Sequence, residues 1–168
     1  MSPQKQDYLL RLIEELGQFL AEVTKLRSQG NYGAAMLTIL QAQERLFVRS
    51  VPEFMTRPIE EQVHLLVLGE TAAIAREKCL AYANLLTEAG HTYRAGGQLV
   101  LAQGAYQLAL HVTLLAALKF PSTDPADTQA RILALRGWLP ADELRDEVEQ
   151  ALVPEGGAVD SSRWSRPW

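Results

Sequence analysis

The side chains of this 168-residue chain that could carry chemistry are three histidines, one cysteine and a few paired acids. A metal site needs ligands whose spacing returns them to one face, as in HxxxH or CxxC. His64, His91 and His111 are scattered, and Cys79 is alone. His91 and His111 fall on the two helices of one expected hairpin and could approach each other, but no further ligands are signalled, so no metal is expected. Cys79, inside "AREKCLAYANLL", reads as a small buried hydrophobe rather than a nucleophile.

Acid pairs occur at Glu14–Glu15, Glu60–Glu61 and Glu143 with Glu147. Acid–base catalysis needs carboxylates held in one pocket, whereas these run along helix faces where Arg11–Glu15 and Glu143–Glu147 meet solvent. No phosphate-binding loop, dinucleotide fingerprint or nucleophile elbow is present. Catalytic residues and cofactors are therefore expected to be none. The net charge of −4, with no stretch rich in lysine and arginine, excludes a broad nucleic-acid face.

What remains is surface. Ala95 to Leu118 carries no formal charge and is long enough to cross a bilayer. Gly96 and Gly97 at its start suit a tight turn, and Gln103, Gln107 and His111 recur every four residues as a polar stripe. Lipid would penalise burying that stripe without partners, so no membrane span is expected. The stripe reads either as a contact surface, including one between two copies, or as an ordinary solvated edge. The C-terminal "SRWSRPW" places Trp164 and Trp168 beside arginines in a segment too short to own a core. Those rings are either anchors for a groove in this chain, a second copy or another protein, or an idle terminus. Trp138 reads as packing between the last two helices.

These residues must be positioned by helices. Alanine and leucine dominate, aromatic residues are 7% of the chain, and no strand pattern survives. An amphipathic helix is expected from Gln4 to Arg27, with Ser2 as N-cap and Pro3 as its first residue. A second runs from Tyr32 to Val48 after the "SQGN" turn. Pro58 opens a short helix that Gly69 ends, and a longer one spans Glu70 to Arg94. "AGG" then turns the chain into the uncharged helix. Asp124, Pro125 and Asp127 supply cap, first residue and first-turn acid for a helix to Gly137. Pro140 restarts a further helix, and residues 154–168 form a mobile tail. The start of the chain has no secretory pattern, so a cytoplasmic location is expected.

Gly90, Tyr93, Ala102, Tyr106 and Ala109 fall at the relative spacing of the small, aromatic and alanine positions of the tetratricopeptide repeat, with Leu86 at its leading apolar position. This stretch resembles that repeat, although Ala89 replaces the usual leucine and the closing proline is missing. "SQGNYGAA", with Ala35, Ile39 and Ala42, resembles its turn and second helix more loosely. The opening "DYLLRLIEELGQFLAEV", followed by paired helices that end in a repeat-like hairpin, resembles an uncharacterised bacterial family of small helical proteins, which supplies no activity. The repeat resemblance implies an all-α, right-handed array of antiparallel hairpins over residues 1–153. It also implies a groove lined by Asn84, Thr87, His91 and Arg94, in which Arg94 and His91 would hold a partner carboxylate or carbonyl. The expected function is a non-catalytic interaction module that binds a protein or peptide or self-associates, as in a homodimer. The alternative is a small-molecule binder or enzyme with an inter-helix cavity.

Overall fold

In the computed structural model, residues 2–140 are described. All regular structure among them is α-helical, in seven helices. The helix expected after Pro140, the tail 154–168 and its Trp164 and Trp168 lie outside the described residues.

Helix α1 (Pro3–Ser28) starts as the sequence indicates: Ser2 caps it by accepting from the Lys5 amide, and Pro3 opens its first turn. Leu9, Leu12, Leu16 and Val23 are its buried side, with Glu14, Gln18 and Glu22 facing water. Helix α2 (Tyr32–Phe47) is capped by the Asn31 side chain and ends at Val48, whose φ of 54° places a β-branched residue in the left-handed region. The proline-rich "SVPEF" stretch holds a one-turn helix, α3 (Val51–Phe54). The Glu53 carboxylate accepts from both the amide and the hydroxyl of Ser50, and those two bonds depress its pKa.

Helix α4 (Ile59–Val67) begins one residue after Pro58, and Gly69 ends the segment with φ of 76°. Helix α5 (Ala72–Ala95) starts two residues later than expected because the Thr71 hydroxyl caps it on the Ile74 amide. After Gly96 and Gly97, α6 (Leu99–Lys119) runs back along α5. Helix α7 (Ala126–Gly137) follows the loop, where Asp124 accepts from the Ala126 amide, one position from its expected register.

Packing follows from which faces are apolar. The α1–α2 and α5–α6 pairs are hairpins; α2 and α1 both lie on α5, α7 lies on α6, and α4 spans α5 and α6. Helix α6 is apolar on nearly every side, as suits a central helix. By length and apolarity it could cross a membrane, and 56% of that window is buried in the bundle. A large core gathers residues from Leu12 on α1 to Leu139 after α7, and a second cluster joins Val23, Ala35, Ile39, Ala89 and Ala105 where the two hairpins meet. Cys79 is wholly buried, and desolvation pushes its thiol up to about 12, so it stays protonated at neutral pH.

Candidate functional site

One groove, about 630 Å³ in volume, opens where the C-terminal ends of α1 and α5 meet the residue that follows α7. From α1 it takes Thr24, Arg27 and Ser28, from α5 His91, Arg94 and Ala95, and Trp138 closes its far side. Helix periodicity places His91 and Arg94 one turn apart on one face of α5, and Arg27 sits in the last turn of α1.

Each side chain is held by a neighbour. The Arg27 guanidinium donates to Glu88 of α5 at 2.6 Å, tying the two hairpins together while both groups stay partly exposed. Nδ1 of His91 lies 2.8 Å from the Tyr106 hydroxyl of α6, and the two rings meet edge-on. Trp138 stacks on Tyr106 with centroids 5.8 Å apart and meets His91 edge-on at 5.0 Å. The Arg94 guanidinium lies over the Trp138 indole, 4.7 Å from its centroid. One turn back in α5, Gly90 gives the Tyr106 ring its room: an added Cβ would stand 2.6 Å from Cδ1.

Electrostatically, His91 is kept neutral. Burial lowers its pKa, Arg27 and Arg94 add to that, and Glu88 opposes them. Burial raises the Tyr106 phenol, with Arg94 pulling the other way. The groove thus presents neutral hydrogen-bonding groups, an aromatic surface and two guanidinium groups.

Of the four residues that the repeat resemblance assigned to a groove, His91 and Arg94 line this one. Asn84 and Thr87 lie further back along α5. Asn84 accepts from Arg131 of α7 at 2.7 Å, and the Thr87 hydroxyl bonds the Ala83 carbonyl within its own helix. In the α6 stripe, Gln107 is exposed and Gln103 half-buried, whereas His111 turns to α4, its Nε2 3.3 Å from Glu60. That places His111 in an inter-helix contact rather than on an open edge. The ring partners of His91 are Tyr106 and Trp138.

Sequence reasoning missed the α1 wall of Thr24, Arg27 and Ser28, together with the lid-like role of Trp138. A basic last turn of α1 was visible, but nothing local to it says that α1 ends beside α5. No group of three or more metal-ligating side chains occurs among the described residues. The chain matches no family model, no curated protein and no solved structure.

Proposed function

We propose that the protein is a non-catalytic interaction module that holds a segment of a protein partner in the groove between α1, α5 and Trp138. The hairpin order supports this reading: α1 and α5 each lead a hairpin, and their C-terminal ends meet at the groove beside the residue that follows α7. That order suits a tetratricopeptide-like, right-handed array in which leading helices line the binding face. The carrying observation is the Arg94–Trp138 stack beside a neutral His91. A preformed cation on an aromatic ring, open to solvent, is built for contact at little ordering cost.

The test is capture of partners from the protein's own cell lysate by the wild-type chain and by an Arg94→Ala, His91→Ala double variant of unchanged helicity. Loss of the captured protein from the variant supports the groove. Equal capture by both rejects it, and light scattering that shows a dimer broken by the same pair of changes identifies a second copy as the occupant.

A further inference from the structure

We infer that the groove recognises an acidic segment, with a carboxylate seated on Arg94; this rests on the groove reading above and names its ligand class. Among the described residues the lining contains two guanidinium groups and no carboxylate, in a chain whose net charge is −4. Arg27 has its charge offset by Glu88. Arg94 forms no ion pair with any described residue: its guanidinium lies over the Trp138 indole and beside the Tyr106 phenol, both of them neutral groups. Arg94 is exposed, and a planar guanidinium offers the fork of N–H groups that takes a carboxylate in two parallel hydrogen bonds. Its rotamer freedom is already spent on the ring, so less ordering cost remains for binding.

Helix ends weigh on the other side, because C-terminal carbonyls repel anions. Here those carbonyls are engaged. The amides of Gln29 and Gly30 donate to Lys25 and Arg27 at the end of α1, and those of Gly96, Gly97 and Gln98 to Thr92, Arg94 and Tyr93 at the end of α5. Lys25 in the last turn of α1 adds a further positive charge at this end. Trp138, 41% exposed, offers an apolar surface for the residue next to the acid.

The full chain is titrated calorimetrically with N-acetylated, C-amidated hexaglutamate, hexaglutamine and hexalysine. Hexaglutamate is expected to bind at least about tenfold more tightly than the other two and to weaken as salt rises. Arg94→Gln is expected to remove that advantage with circular dichroism unchanged, and Arg94→Lys to restore only part of it, since an ammonium cannot form the paired bonds. Equal binding of hexaglutamine, or undiminished binding of hexaglutamate by Arg94→Gln, overturns the acidic specificity. If hexaglutamate fails while a lysate partner still depends on Arg94 and His91, the specificity falls and the groove reading stands. If both fail, both are wrong.

Discussion

Gly90 and Tyr106 interlock across the α5–α6 hairpin: a methyl group on the glycine would stand 2.6 Å from the ring's Cδ1 and nearer still to Cε1. Tyr106 is itself 1% exposed and fixed on its other faces by His91 and Trp138, so the ring has nowhere to retreat. Gly90→Ala therefore sets a gain of about 1 kcal/mol in helix propensity against overpacking that costs about 1–3 kcal/mol. The expected net effect is a lower urea midpoint, together with altered Trp138 fluorescence. A midpoint that rises would show that the ring shifts freely.

Acid should loosen the same corner. The folded pKa of His91 lies below its ordinary value, so between the two values the unfolded chain binds a proton that the folded chain does not. The contribution of His91 to stability is complete above the ordinary imidazole value and declines as pH falls towards the depressed one. Equilibrium unfolding of wild type and His91→Gln across this range checks it. The wild type is expected to lose more stability than the variant on acidification, and parallel curves would remove His91 as the cause.

Gln43 on α2 is 2% exposed, and its Oε1 has no hydrogen-bond partner among the described residues. An unsatisfied buried acceptor costs about 1–3 kcal/mol, whereas leucine at this position would add apolar burial of similar volume. Gln43→Leu is expected to raise the denaturation midpoint. A decrease would reveal that the amide is engaged after all.

The Lys78–Glu70 pair, at 2.6 Å with side chains 8% and 18% exposed, makes the opposite case. Removing one member leaves a charge in a poorly solvated place, at a cost of about 3 kcal/mol or more. Replacing both by apolar residues removes the desolvation cost along with the attraction. Glu70→Gln alone is expected to destabilise clearly and Lys78→Met with Glu70→Leu to be far milder. A double-mutant cycle on thermal unfolding decides.

The contrast between α5–α6 and the groove shows what sequence can carry. Gly90, Ala102 and Tyr106 announce their hairpin because partners joined by a short turn share one local period, and the Ser2–Pro3 start of α1 is equally local. Capping explains the shift at Thr71, whose hydroxyl takes the Ile74 amide, whereas Asp124 bonds the Ala126 amide and α7 starts one residue after Pro125. The α1 wall is of another kind. Arg27 meets Glu88 only because two hairpins dock, and no periodicity within either hairpin encodes that docking. Trp138 is expected between the last two helices, the second of which lies outside the described residues, and its contacts with Arg94, His91 and Tyr106 depend on where α7 ends. His111 likewise joined Glu60 through α4, whose placement rests on Pro58 and Gly69 redirecting the chain.

The bond between Arg27 and Glu88 has a bearing on how the chain reaches this shape. The α5–α6 hairpin closes through residues 96–98 and can assemble from near neighbours, whereas joining α1 to α5 means drawing a long intervening segment, including α3 and α4, into a closed loop. Closing that loop carries a larger entropy cost than closing the α5–α6 hairpin. A chain truncated before α5 would lack the Glu88 carboxylate that Arg27 meets, and with it the tie between the two hairpins.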